Sequence, residues 1–270
     1  VVLFIVDDFG FIIEESELKG WILKTITSKG DFSMSFFGML SKLFDNDEYR
    51  KNPVPQNLTP DQFAAINIGA INAEQTEYFC DSLPTGSDVD EIKDNLSKYY
   101  DILDRASALE TLEWLYTEGH RVYFDAIKGV MSGRDTQITI AGLDEEAEYR
   151  IPEYRSNLQE AMDELMEENF LKQPADLAQC SILAWDMGRL VLVTRCCFDA
   201  GYISDEEAWH YIMNARQASK KQYASWDEFA SGYVIGRAMW SGSNMSLTGI
   251  IAITQGLLQD DESPWKQVAF

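Results

Sequence analysis

The stretch from about residue 176 to 200 constrains this chain more than any other. Ile182, Leu183, Trp185, Met187, Leu190, Val191, Leu192, Val193, Cys196 and Phe198 leave no wide polar face at helical spacing, so a helix here must be surrounded by other helices. It does not read as a membrane span, because Asp186, Arg189, Arg195 and Asp199 interrupt the apolar run. Charges on a central helix need partners. Asp186 and Arg189, three residues apart, are expected to pair on one face, and Arg195, roughly opposite, to reach a carboxylate or water.

Signals of one kind repeat around this stretch. Thr59-Pro60-Asp61-Gln62 offers an N-cap hydroxyl, a proline in the first turn and a returning amide, while Ser204 to Glu207 and Ser225 to Glu228 repeat the capping-box spacing. Gly119, Gly201 and Gly242 stand where helices would stop. These marks predict helices near 59–81, 88–101, 104–118, 153–170, 176–200, 204–221, 225–240 and 245–258. The expected fold is all-α, a multi-helix globular bundle around the helix near 176–200, with room for one short β element at Thr136–Ala141. Residues 1–57 are set apart as an unassigned segment, with a short strand expected at Val1–Val6 and helical spacing at Phe32–Phe44. Pro53 and Pro55 mark the turn into the helical domain of 58–270.

Charge limits the partners. Lys and Arg number 22 against 45 Asp and Glu, a formal net charge of −23, so nucleic acid is not an expected ligand. The excess is local: Asp144 to Glu168 holds 10 acidic and 2 basic residues, whereas Gln179 to Trp240 holds 7 and 6. Two readings of the acidic stretch stay open, a solvated surface and a docking face for a basic protein. Cys80, Cys180, Cys196 and Cys197 have no metal-ligand spacing and read as reduced thiols, which with the lack of a signal-peptide pattern places the protein in the cytoplasm. The sequence begins at Val1 rather than Met, so it reads as a trimmed or partial chain.

Catalytic signatures are missing: no Walker A loop, no G-x-G-x-x-G after a strand, no G-x-S-x-G and no H-E-x-x-H occurs. The histidines are His120 and His210. Glu207 and His210 form one E-x-x-H, but Glu207 is already accounted for as a capping-box acid, and neither a metal nor a cofactor is expected. Gly236 followed by Arg237 and Trp240 reads as a close helix approach that brings Arg237 toward Asp186 or Glu113. Glu113, Glu118, His120, Asp186, Arg189, Arg237 and Trp240 are therefore the candidate polar cluster, either a buried structural network or a cleft.

Several segments then read together. Leu58–Glu74, Ser107–Leu115 and Glu118–Arg121, followed by Ala184–Arg189, Ala200–Trp209, Tyr223–Phe229, Gly232–Gly242 and Asp261–Trp265, resemble the bacterial DUF family 1266. The resemblance covers roughly 58–121 and 176–268. It implies a bacterial, soluble, helical protein of unassigned biochemical role. Its motif positions here are Glu113, Glu118, His120, Trp185, Asp186, Arg189, Trp209, Arg237 and Trp240.

Three functions follow as expectations. The first is a protein-binding module, an immunity-type inhibitor or adaptor that engages a basic protein partner through its acidic surface. The second is an enzyme or small-anion binder with a polar cleft around Asp186, Arg189, Arg237, Glu118 and His120. The third is a structural subunit whose first 57 residues make the oligomer contact.

Overall fold

The computed structural model describes residues 49–138, 142–144 and 146–270. The expected elements at Val1–Val6 and Phe32–Phe44 lie outside the described residues, as do Thr139–Ala141 of the suggested β element; Thr136 and Gln137 form a bend.

Among the described residues the regular elements are all helical. They are α1 (Pro60–Ile66), α2 (Ala70–Gln75), α3 (Val89–Tyr100), α4 (Arg105–Thr117), α5 (Arg121–Met131), α6 (Ala147–Glu160), α7 (Met162–Glu167), α8 (Leu183–Asp199), α9 (Asp205–Gln222), α10 (Trp226–Ser241), α11 (Met245–Gln259) and α12 (Pro264–Gln267), with 3-10 turns at Asn67–Gly69 and Pro174–Gln179. Local sequence sets most of their ends. The Thr59 hydroxyl accepts from the Gln62 amide while the Gln62 side chain accepts from the Thr59 amide, and Ser204 and Glu207 repeat the exchange at α9. Gly119, Gly201 and Gly242 all have positive φ, the backbone region where glycine closes a helix without strain.

α8 is the centre. Every residue from Ala184 to Cys197 is buried, and the helix packs against α9, α10, α4 and α3. Glycines allow that density. A Cβ on Gly236 would fall 2.4 Å from the Trp185 Cβ, and one on Gly188 would fall 2.7 Å from the Tyr233 ring, so α8 and α10 meet almost backbone to backbone. Short connections at Ala200–Ser204, Tyr223–Ser225 and Gly242–Asn244 join α8 to α11 as successive neighbours.

Three expected helices need correction. Residues 59–81 are not one helix: Asn67 turns its side-chain amide to the carbonyls of Phe63 and Cys80, and the chain tightens into a 3-10 turn where Gly69 meets Val191. Helix α8 starts at Leu183 rather than near 176, because the Tyr223 hydroxyl donates to the Ser181 carbonyl and accepts from the Ala184 amide, wedging the chain open at the junction. Helix α6 begins six residues before 153 and carries Pro152 inside it; the carbonyl that proline leaves without a donor belongs to exposed Glu148, where water can take it.

In α6 and α7, Ala147, Ile151, Tyr154, Leu158, Ala161 and Leu165 are buried at alternating spacings of four and three, so one apolar stripe runs through both helices. α6 lays that stripe against α5 and α10. The Asn52–Pro55 stretch turns as its prolines require, with Asn52 Oδ1 accepting from the Val54 amide. It is tied down on both sides: Arg50 donates to the carbonyls of Glu77 and Gly86, and the Leu83 amide donates to Gln56.

Candidate functional site

Helix α5 begins without a cap of its own. His120, at its N-cap, offers no side-chain acceptor to the first amides. The acceptor comes from α8. Asp186 Oδ1 accepts from the His120 amide at 2.8 Å and Oδ2 from the Arg121 amide at 3.1 Å, so a carboxylate 65 residues away caps the helix. The Arg121 guanidinium completes the arrangement. Nη1 reaches Asp186 Oδ2 at 2.9 Å and the Leu115 carbonyl at 3.1 Å, while Nη2 reaches the Tyr116 carbonyl at 2.7 Å. One side chain therefore closes the end of α4 and the start of α5 together. Gly119, φ +60°, makes the approach feasible, since a Cβ there would lie 2.3 Å from the Asp186 carboxylate.

The expected pairing of Asp186 with Arg189 does not form. Asp186 is 0% exposed and spent on Arg121 and the two amides, whereas Arg189 Nη1 stands 3.0 Å from His120 Nδ1. A guanidinium can only donate, so Nδ1 accepts and the ring proton sits on Nε2. Burial, the Arg189 charge and then the Arg150 charge hold the His120 imidazole well below its ordinary value, and it stays neutral at pH 7. Burial pushes the Asp186 carboxyl up, while the Arg121 charge and the N–H donors of His120 and Arg121 pull against it. Both of its oxygens accept from N–H groups, the pattern of a carboxylate.

Aromatic rings enclose this centre. Trp114 meets the His120 ring edge-on at 5.1 Å and Tyr154 at 6.1 Å, and Tyr123, whose hydroxyl donates to Asp144, adds a third wall. The Arg189 guanidinium lies 5.4 Å from the Tyr100 ring and 5.2 Å from Trp185. Arg237 also lies against Trp185, 5.6 Å from that ring and 4.9 Å from Trp240, with Nη2 on the Ser246 hydroxyl. Trp185 thus has two guanidinium groups against its ring, and neither is ion-paired with Asp186 among the described residues.

Of the seven expected cluster residues, His120, Asp186, Arg189, Arg237 and Trp240 gather around Trp185. Glu113 and Glu118 are exposed. Glu113 lies beside Tyr211, whose hydroxyl is raised by burial first and by Glu113 next. The expected approach of Arg237 to Asp186 or Glu113 does not form an ion pair among the described residues; Gly236 draws its helix onto Trp185 instead. Sequence reasoning did not select Arg121, Tyr123 and Tyr154, and only the position of Arg121 beside His120 offered a clue.

Arg195 departs from expectation too. Only 1% exposed, it pairs with no carboxylate among the described residues and donates instead to the carbonyls of Leu83, Phe79 and Pro84, at 3.1, 2.6 and 3.1 Å. Glu207 holds the Ser204 cap and also accepts both Arg105 Nη groups, at 2.7 and 2.5 Å. Together with the adjacent Ser204 amide and hydroxyl, Arg105 drives the Glu207 carboxyl down to about 2. His210 Nε2 lies 3.0 Å from the Asn214 side-chain amide. Among the described residues no three His, Cys, Asp or Glu side chains are placed to hold a metal ion, and no helix is long and apolar enough to cross a membrane.

The fold and site define a helical protein built on an interior of arginine, histidine and aromatic groups. The chain belongs to the family described as Protein of unknown function (DUF1266), whose model matches residues 95–270. The matched range includes the acidic stretch, and the Leu58–Glu74 segment lies outside it. No curated protein and no solved structure matches the chain.

Proposed function

We propose that this chain is a protein-binding module of the adaptor or immunity type, working in the cytoplasm, and that its docking face is the outer side of α6 and α7. One observation supports the reading above others. Over the buried stripe, Glu148, Glu153, Asp163 and Glu167 are exposed and make no ion pair among the described residues. Of the two arginines on α6, Arg150 pairs with Glu146 and Arg155 is exposed, so acidic residues stay in excess along the face, 10 against 2 from Asp144 to Glu168. The reading of a polar cleft has less support, since Asp186, Arg189 and Arg237 serve helix packing and two expected members lie outside the cluster. A face of this charge suits a basic partner, drawn in by long-range attraction and released by salt.

The test is recovery of a partner on immobilised protein at low and high salt, repeated with Glu148, Glu153, Asp163 and Glu167 all changed to Lys. A basic protein held at low salt, released by about 0.5 M NaCl and lost on the reversed surface is the expected result. Equal recovery on the reversed surface would overturn the assignment. Reversal of Glu206 and Asp227, on α9 and α10, is the control that keeps the fold and alters charge elsewhere.

A further inference from the structure

His120 Nδ1 has two charged neighbours of opposite sign, Arg189 Nη1 at 3.0 Å and Asp186 Oδ1 at 3.8 Å. Only the first is within hydrogen-bond reach. The guanidinium donates, so the bond holds only while Nδ1 keeps its lone pair. A proton on Nδ1 removes that acceptor and sets an imidazolium against a guanidinium 3.0 Å away, with both residues buried. The carboxylate then becomes the better partner. About 1 Å of ring movement brings Nδ1–H to ordinary hydrogen-bond distance from Asp186 Oδ1, and that oxygen, which already accepts from the His120 amide, has a second lone pair to offer.

The other elements around the ring bring no rival for that proton. From α5 come Arg121, committed to Asp186 Oδ2, and Tyr123, whose hydroxyl donates to Asp144. From α6 come Tyr154, edge-on at 6.1 Å, and Arg150, paired with Glu146. From α4 comes the Trp114 ring, while Glu118 at the end of that helix is exposed. Tyr100 of α3 lies against Arg189. Among the described residues, Asp186 is therefore the carboxylate placed to receive an imidazolium. Burial, with the charges of Arg189 and Arg150, keeps the ring neutral until the solution is well more acid than its ordinary 6.5, so acid drives the exchange of partners.

We infer that His120 is a proton-operated switch at the corner of α4, α5 and α8: neutral, its Nδ1 holds Arg189 to the start of α5; protonated, it turns to Asp186 and releases Arg189. Both states keep Asp186 on the first amides of α5, so the corner changes partners without coming apart. The moving part is Arg189. Its guanidinium rests 5.2 Å from the Trp185 ring and 5.4 Å from Tyr100, so its release changes the surroundings of the Trp185 indole.

The test follows the imidazole nitrogens by NMR from pH 8 to pH 4 in the full chain carrying His210→Gln, which leaves His120 as the single histidine. At pH 8 the ring proton is expected on Nε2. On acidification Nδ1 is expected to gain a proton with a midpoint well below 6.5, and the Trp185 indole N–H signal to move at that same midpoint while the amides of α9 keep their shifts. Arg189→Met removes the guanidinium and keeps an apolar stem; it is expected to raise the proton affinity of the ring about tenfold, one unit in the midpoint, and to uncouple Trp185 from it. A proton on Nδ1 at pH 8, a ring that stays neutral down to pH 4, a Trp185 signal that stands still as the ring titrates, or unfolding in the same step would overturn the inference. So would an unchanged midpoint in Arg189→Met. Should that variant fail to fold, the titration with Arg189 in place decides alone.

Discussion

Glu74 ends up in a place no free carboxylate would choose. It lies near the end of α2, half-buried, with Asp260 and Glu77 close by. Burial first, then Asp260 and Glu77, raise its carboxyl from 4.5 to about 7. The folded chain therefore binds this proton more tightly than the unfolded chain does. The stability it supplies is complete below about pH 4.5 and gone above about pH 7. Glu74→Gln, neutral throughout, is expected to raise unfolding stability at pH 8 by up to about 3 kcal/mol and to change it little at pH 4. Urea unfolding of both proteins at the two pH values measures it, and an equal gain at each would contradict the burial of that side chain. His120 works in the opposite sense: its lowered value gives stability that is present above about 6.5 and lost as the pH falls.

Among the elements, α5 depends most on the rest of the chain. Its first amides rest on Asp186, so Asp186→Asn, which removes the charge facing Arg121, is expected to cost about 3 kcal/mol. Gly119→Ala, which forces a Cβ into the same carboxylate and strains a positive φ, is expected to cost a similar amount. Hydrogen exchange checks the location: the first turn of α5 should lose protection in both variants while α9 keeps its own. Uniform loss across the two helices would refute a local cap. The same dependence explains what could be read beforehand. Helices α9 and α10 announce themselves, because Ser204 with Glu207 and Ser225 with Glu228 complete the caps within four residues. Helix α5 gives no such sign, since its acceptor is 65 residues away, and the Gly119 stop reads as the end of structure rather than a corner. The start of α8 is hidden for the same reason, its wedge being the hydroxyl of Tyr223. Within the site, the burial of Asp186 and Arg189 follows from the apolar helix that carries them, but their partners do not. Three-residue spacing suggested a pair, and tertiary packing gave each a different neighbour.

At the scale of the molecule, a formal charge of −23 means that folding concentrates like charges. Compaction works against that repulsion, so stability is expected to increase with salt over the range where the screening length shrinks from about 30 Å to about 8 Å. Urea midpoints measured across that range in NaCl should rise, and the rise should be smaller once Glu148, Glu153, Asp163 and Glu167 are replaced by Gln. A flat response would mean that the exposed carboxylates are neutralised within the fold. The bundle resists this repulsion through α8, around which the remaining helices are arranged.

Arg195 carries one more consequence of that arrangement. Its guanidinium fans across three main-chain oxygens of the turn at 79–84, and none of them belongs to a side chain. The turn is thus anchored by its path rather than its spelling. With Cys80, Ser82 and Leu83 packed inside, the ribbon is pinned to the hub through its backbone, and a lysine at the anchor, a single point of charge, could not span all three oxygens.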